Sequence, residues 1–460
     1  MIAMPLSRIA NLVGGRVVGD DVMIDVVATD TRAMPHGHPL FIALKGERFD
    51  GHDHLSMAAR NGAVAALVSR EIDSPLPQLL VADTERALAA FAAGVQRDRQ
   101  TRVIAITGSN GKTSVKTLVL AILREAFPEA GAVYANPGNF NNEIGLPLAV
   151  LAAPEHAQFA VYEMGAGKPG DIVYLTTIAR PDISVVNNIA PAHLERMGSL
   201  LGVADTKGAI YDALPADGVA VINADDAFAP YFGERAHGRR LIRYGLDATA
   251  DVTAHAIDLL PDSAHFTLVT PIGEVEVGLS MAGRHNVLNA LAAASIALGA
   301  GIEPDVIAEG LAKARPVAGR LVTHRLQSGA ILIDDSYNAN PGSLNAAIDT
   351  LASSGDTAWL VLGDMRELGA DAALLHAEAG RRAKGAGIAR LYALGPLSKH
   401  AVDAFGEGGH HFETHAALAQ ALGSGLRESV RVLVKGSRGS AMDKIVSALL
   451  RDEGNDPHAA

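Results

Sequence analysis

The sequence predicts an α/β protein of three domains. A central, doubly wound, phosphate-loop-type domain built on a parallel sheet is flanked by an N-terminal α/β domain and a C-terminal Rossmann-like domain. Three observations carry this. The chain has 460 residues, enough for about three domains at roughly 150 residues each. Residues 102–127 read as a buried strand, a glycine loop and a helix. Strand patterns then alternate with helical ones through the middle and again through the last third, the texture of parallel sheets with helical crossovers. Boundaries are expected at 1–98, 99–318 and 319–460.

Taken in order, residues 35–54 (PHGHPLFIALKGERFDGHDH) mix a short apolar stretch with turn residues, and the Ala-rich run at 85–100 reads as a helix closing the first domain. RVIAIT (102–107) is a strand by its β-branched content, and 111–127 is a helix by its apolar spacing. Further strands are expected at QFAVYEM (158–164), DISVVNN (182–188) and GVAVIN (218–223). From about 251 to 280 strand follows strand, predicting an antiparallel annex, and the helix at 285–300 closes the middle domain. Near Arg320 a second βα series begins, with strands in LVTHRL, AILIDDS, AWLVLG, RLYALG and VRVLVKG.

Composition removes several classes of function. Apolar residues make up 48% and charged residues 20% of the chain, so a sizeable core forms and disorder is not the default. A formal charge of −12 argues against a general nucleic-acid backbone binder, so any phosphate must be gripped locally. With no cysteine, disulfides, thiolate nucleophiles and cysteine-ligated metals are excluded. No stretch reaches the eighteen or so apolar residues of a membrane span, and the first residues lack a signal-peptide pattern. The expectation is a cytoplasmic protein, not inserted in membranes, acting as a monomer.

The central signal is the loop from Gly108 through Ser109, Asn110, Gly111, Lys112 and Thr113 to Ser114. Glycines let consecutive amides turn inward, the following helix offers its positive end, and Lys112 supplies a charge for terminal phosphates. Thr113 is placed to ligate magnesium. The usual phosphate-loop pattern has a glycine five positions before Gly111, where this chain has Ile106, so the loop is a shortened variant. A simple turn with a surface lysine is the alternative; the flanking strand and helix favour phosphate. Glu163 and His193 stand at the ends of the next two strands, where parallel sheets present ligands. Alone they read as a solvated carboxylate and a capping histidine; beside the loop they read as ligands of one cation. Lys207 alone reads as a solvated helix lysine.

GSNGKTS, Glu163, NNIAPAHLE (187–195) and GRHNVLNALAA (283–293) together resemble the ATP-dependent Mur ligase superfamily. NPGNFNNEIGLP (136–147), DDSYNANPGS (334–343), LGDMRELG (362–369) and VLVKGSRGSAMD (432–443) are similar to its branch that adds D-alanyl-D-alanine. The sister branch that adds the third residue typically carries DYAHTPD-like and DNPR-like strings, for which this chain has DDSYNANPGS and no DNPR. Residues 29–54 (TDTRAMPHGHPLFIALKGERFDGHDH) are similar to the uridine-diphosphate-binding domain of the superfamily.

The resemblance implies an ADP-forming acid–amino-acid ligase of peptidoglycan and cell-wall synthesis, using ATP and Mg2+. Its substrates would be UDP-N-acetylmuramoyl-tripeptide and D-alanyl-D-alanine. It further implies that Gly108 to Ser114 wrap ATP phosphates, that Thr113, Glu163 and His193 hold magnesium, and that Lys207 is the lysine carbamylated in several members, able then to bind a second magnesium. Asn286 and Asn289 would lie on the adenine side, Arg320 near the phosphates, and Asp335 and Asn338 at the nucleoside. Lys112, His193, Lys207 and Arg320 form the implied catalytic set. Asp30, Thr31, Arg32, Lys45, Gly46 and Asp50 fall in the implied uridine-diphosphate site, and Asn139, Asn141 and Asn142 in the loop facing the muramyl peptide. Gly319 is a candidate hinge. Two alternatives stay open: a nucleotide-binding partner protein without turnover, and the sister ligase. The pairs His52/His54 and His410/His411 read as loop residues with no metal role, and aromatics at 4% argue against a base-stacking platform.

Overall fold

The computed structural model describes residues 3–191, 194–353 and 357–451. Its central sheet has six parallel strands in the order Arg240–Tyr244, Val219–Asn223, Ile183–Val186, Arg102–Thr107, Phe159–Glu163 and Val133–Ala135. Along Arg102–Thr107, Val103 and Ala105 join one apolar core while Ile104 and Ile106 join the other, as the two-residue period of a strand requires. Both faces are therefore covered, which explains the unbroken apolar run between Arg102 and Thr107. Helices Lys112–Ala126 and Arg284–Ala300 cover one face, and Gly145–Ala152, Asp171–Ala179 and Leu200–Asp212 the other. Arg284–Ala300 is buried on nearly every side, and its alanines allow the close approach this needs.

Strand Arg102–Thr107 comes first in this sheet yet lies in its interior: the chain crosses to the edge strand Val133–Ala135, returns through Phe159–Glu163, and then runs outward on the other side through Ile183–Val186, Val219–Asn223 and Arg240–Tyr244. The connections on its two sides leave to opposite faces, which opens a gap at the carboxyl ends of the strands. That gap is where the glycine loop emerges. The three strands Thr253–Leu259, Ala264–Thr270 and Gly273–Leu279 form the antiparallel annex expected from the sequence.

The first sheet runs Arg16–Val18, Gln78–Leu80, Ala65–Val68, Pro39–Ile42, Val26–Ala28, with only the first pair antiparallel. Helix Thr84–Arg97 follows it, capped by Asp83, whose Oδ1 accepts from the amides of Glu85 (2.9 Å) and Arg86 (3.0 Å). Its Leu88, Phe91 and Ala92 enter the same core as Leu146 and Ile172, so this helix packs the first sheet onto the central one.

The last sheet runs Val322–Arg325, Ile331–Asp335, Val430–Lys435, Thr357–Gly363, Arg390–Leu394, Gly409–Phe412, parallel except for its first pair. Two expectations are corrected. His410 and His411 lie in the edge strand Gly409–Phe412 rather than in a loop, paired with Tyr392 and Ala393. The glycines ahead of this four-residue strand mask it in the sequence, and packing of His410 and Phe412 on the Tyr392 ring holds it. His52 and His54 lie in the 3-10 helix Gly51–His54. His52 is buried, its Nδ1 donating to Asp50 Oδ1 (2.6 Å) and its Nε2 accepting from the Ser69 amide (2.9 Å), so both ring nitrogens are occupied by structural bonds.

Candidate active site

The glycine loop is pinned to the neighbouring strand end. Ser109 N donates to Asn188 O (2.9 Å), Asn110 N to Asn188 Oδ1 (2.9 Å), and Asn187 Nδ2 to Asn110 O (3.0 Å). Gly108 and Gly111 have φ of +147° and +77°. A Cβ at Gly111 would stand 2.5 Å from Asn187 Nδ2 and 2.6 Å from Asn289 Oδ1. Gly111→Ala is therefore expected to cost about 1–3 kcal/mol through strain and displaced neighbours, and to weaken nucleotide binding; equilibrium unfolding and an ADP titration check both.

Beyond the loop opens a cavity of about 620 Å³. It is lined by Gly108–Lys112, Ser114, Glu163, Lys207, Asn286 and Asn289 from the middle of the chain, and by Arg320, Asp335, Asn338 and Lys435 from the last third. Lys112 Nζ folds back onto Gly108 O at 2.8 Å, placing its ammonium at the loop's mouth. Burial holds that ammonium below its ordinary pKa, opposed by the Glu163 charge.

Glu163, at the end of its strand and buried, is held from several sides. Thr113 Oγ1 donates to Oε2 (2.8 Å), Asn141 Nδ2 donates to Oε1 (3.0 Å), and Lys116 Nζ lies 3.7 Å from Oε2. Burial pushes its carboxyl up, but the Lys112 and Lys116 charges and the Thr113 bond outweigh this and hold it below the ordinary range.

Two contacts close the last domain onto the loop. Arg320 Nη2 donates to Thr113 Oγ1 (2.9 Å), and Asn340 Nδ2 donates to Asn110 Oδ1 (2.7 Å). The Arg320 guanidinium lies over the Tyr337 ring, 4.4 Å from its centroid, with Arg438 also against that ring at 5.6 Å. Both neighbours of Arg320 are left-handed, Gly319 at φ +74° and Leu321 at +54°. A non-glycine residue there costs roughly 1–2 kcal/mol, so strain is concentrated where Gly319 was expected to act as a hinge.

Lys207 is fully buried at the cavity wall, and its ammonium is pushed down to about 7, first by burial and then by Lys112. The unfolded lysine keeps its proton up to about 10.4, so unfolding takes up a proton between about pH 7 and that value. Stability from this group therefore rises with pH across the window, by up to about 1.4 kcal/mol per unit, and is lost as pH falls toward 7. Lys207→Met is expected to flatten the rise; unfolding midpoints of both proteins across this range test it, and parallel profiles would contradict it.

The other sequence-derived residues divide. Asn286 and Asn289 are buried and chained, Asn289 Nδ2 donating to Asn286 Oδ1 (3.1 Å) and Asn187 Nδ2 to Asn289 Oδ1 (3.0 Å). Asp335 pairs with Lys435 Nζ at 2.5 Å, and Asn338 O accepts from the same ammonium at 3.1 Å. Asn141 and Asn142 line the cavity, whereas Asn139 is exposed outside it. His193 lies outside the described residues. Asp30, Thr31, Arg32, Lys45, Gly46 and Asp50 follow the carboxyl ends of parallel strands Val26–Ala28 and Pro39–Ile42, away from the cavity. There Asp30 pairs with Arg32 (2.7 Å), Thr31 Oγ1 meets Met57 Sδ, and Asp50 pairs with His52 and Arg70. Sequence reasoning did not single out Lys116, Asn187, Tyr337, Lys435 or Arg438. Lys435 ends the VRVLVKG strand beside Asp335, and a lysine closing a buried strand was the available signal.

Over 452 residues, 98% of this chain and 99% of the relative, the sequence is 43% identical to the UDP-N-acetylmuramoyl-tripeptide–D-alanyl-D-alanine ligase of Escherichia coli K12. The chain belongs to the Mur ligase family. Within it the chain stands in the branch of UDP-N-acetylmuramoyl-tripeptide–D-alanyl-D-alanine ligases. Three family descriptions match in series: the Mur ligase family catalytic domain at 23–96, the Mur ligase middle domain at 106–297, and the Mur ligase glutamate ligase domain at 319–438. Among solved structures, MurF from Acinetobacter baumannii aligns with a TM-score of 0.91 at 33% identity, covering 98% of this chain and all of that one. MurF from Thermotoga maritima, solved in complex with ADP, aligns with a TM-score of 0.83 at 26% identity, covering 93% and 98%. The three-domain α/β architecture of the family is the one described above.

Proposed function

We propose that this chain joins D-alanyl-D-alanine to UDP-N-acetylmuramoyl-tripeptide at the expense of ATP, releasing ADP and phosphate and giving the pentapeptide precursor of peptidoglycan. The observation that carries the reading is the cavity, where the glycine loop, Glu163 and the arginine of another domain converge in a chain alike from end to end to ligases of that name.

A carboxylate is a poor electrophile, so the reaction needs activation. An oxygen of the tripeptide's terminal carboxylate attacks the γ-phosphorus, the bond to the bridging oxygen of ADP breaks, and an acyl phosphate forms. The amine of D-alanyl-D-alanine then adds to the acyl carbon, phosphate departs with its C–O bonding pair, and the amine proton is lost. The first step brings negative charges together. Lys112, the amides at the start of helix Lys112–Ala126 and Arg320 neutralise and align them in a closed site. Asn286 and Asn289 take the adenine side and Asp335 and Asn338 the nucleoside. The Arg320–Thr113 and Asn340–Asn110 contacts hold the site shut against water, which would hydrolyse the acyl phosphate.

Glu163 and Thr113 fit Mg2+. Their oxygens lie 2.8 Å apart, against about 2.9 Å for neighbouring ligands of an octahedron with bonds of about 2.0–2.1 Å. These two, with His193 and Lys207 as further ligands, would hold the ion, which would supply Lewis-acid charge for phosphoryl transfer. Lys207, buried and with its ammonium pushed down to about 7, offers near that pH a large share of the free amine, the form that adds carbon dioxide to become a carbamate. Asp30, Thr31, Arg32, Lys45, Gly46 and Asp50 take the uridine diphosphate, and Asn139, Asn141 and Asn142 the muramyl peptide. Residues 1–98, 99–318 and 319–460 act as the three working units of a cytoplasmic monomer. No helix among the described residues is long and apolar enough to cross a membrane.

ADP release measured with and without each substrate tests the reading. Release is expected only with tripeptide and D-alanyl-D-alanine together. Release independent of either overturns it, and turnover with a free diamino acid or lysine in place of the dipeptide assigns the sister activity.

A further inference from the structure

The mechanism gives no role to one buried cation beside Glu163. Lys116 follows Lys112 by one helical turn, on the same face of helix Lys112–Ala126. It is 6% exposed, with Nζ donating to Asn136 O at 3.1 Å and lying 3.7 Å from Glu163 Oε2. Asn136 in turn grips the main chain of Glu163: its Oδ1 accepts from Glu163 N (3.0 Å), and its Nδ2 donates to Glu163 O (3.0 Å) and to Phe140 O (2.9 Å). Asn141, from the same loop, holds Glu163 Oε1. One ammonium thus touches both the carboxylate and the loop that fixes the carboxylate's backbone.

We propose that Lys116 is a positioning residue that holds the Glu163 carboxylate against the Thr113 hydroxyl and ties it to the 136–142 loop, so that the cation arriving with the nucleotide meets a preformed ligand. This rests on the reading of Glu163 as a Mg2+ ligand. A lysine serves better here than a neutral donor. It reaches a carbonyl and a carboxylate together, and its charge offsets that of Glu163 in a buried setting whenever the site holds no cation.

The test is the affinity for ADP measured calorimetrically in excess Mg2+ and again in EDTA, the ratio giving the gain due to metal. In Lys116→Met this gain is expected to fall at least about tenfold, as when a group supporting a metal ligand is lost, while affinity in EDTA stays within about twofold. Lys116→Arg, which keeps the charge, is expected to retain most of the gain. Adding Lys116→Met to Glu163→Gln is expected to change nothing further, within about twofold, because the lysine acts through the carboxylate. An unchanged gain in Lys116→Met, an equal loss in EDTA, or independent effects in the double variant overturns the proposal. If Glu163→Gln alone leaves the gain intact, the ligand assignment falls and the proposal with it. If Glu163→Gln abolishes the gain and Lys116→Met does not, only the proposal falls. Should Lys116→Met fail to fold, Lys116→Gln, which keeps a donor for Asn136 O but no charge, is read in its place.

Discussion

Lys112→Met is expected to lower D-alanyl-D-alanine-dependent ADP release by about 10³-fold or more, with the protein still folded. The lost ammonium is one of two side-chain cations aimed at the place where charge gathers in phosphoryl transfer, and such groups contribute about 10³–10⁵ in rate. Among the described residues its ammonium bonds to Gly108 O alone, at 2.8 Å, a contact worth about 1 kcal/mol, so the unfolding midpoint should move little. Lys112→Arg is expected to rescue poorly, because the larger planar guanidinium does not fit a loop closed over a point charge. Stopped turnover with an unshifted unfolding transition supports the assignment. A variant at full speed removes the loop from the chemistry.

The second large effect is on stability. Lys435 and Asp335 end adjacent parallel strands in register, and their side chains, 3% and 13% exposed, pair at 2.5 Å. Lys435→Met leaves a buried carboxylate without its counter-ion, at an expected cost of about 3–5 kcal/mol. Adding Asp335→Asn removes the orphaned charge, and the double variant should regain more than half of that loss, the coupling expected of residues in contact. Denaturant unfolding followed by the fluorescence of Trp359, in the core of the same sheet, reads this directly. Equal losses in the single and double variants would contradict it.

How much of this was legible in the sequence depended on whether local pattern or long-range assembly set the feature. Strand Arg102–Thr107 and the helix after it were readable because a buried parallel strand must be apolar on both faces and the loop needs glycine at Gly108 and Gly111. Strand Gly409–Phe412 was not, since an edge strand of four residues held by one partner carries no periodic signature. Burial of His52 was hidden by its polar neighbours, although Asp50 two residues earlier is a turn-forming partner that could have pointed to it. Lys116 and Lys207 both look like exposed helix lysines. What buries them is the packing of their helices against strands of the central sheet, which helical spacing does not encode. The convergence of Arg320 on Thr113 joins residues 207 positions apart and entered the sequence reading only through resemblance.

The central claim is that the cavity between the glycine loop and Arg320 activates a carboxylate by giving it the γ-phosphoryl group. Turnover of tripeptide labelled with oxygen-18 in its terminal carboxylate tests this most directly. The account predicts one labelled oxygen in each inorganic phosphate released with ADP, because the oxygen that attacks phosphorus leaves with it when the amine displaces phosphate. Phosphate released without label, or label found in AMP, would contradict it.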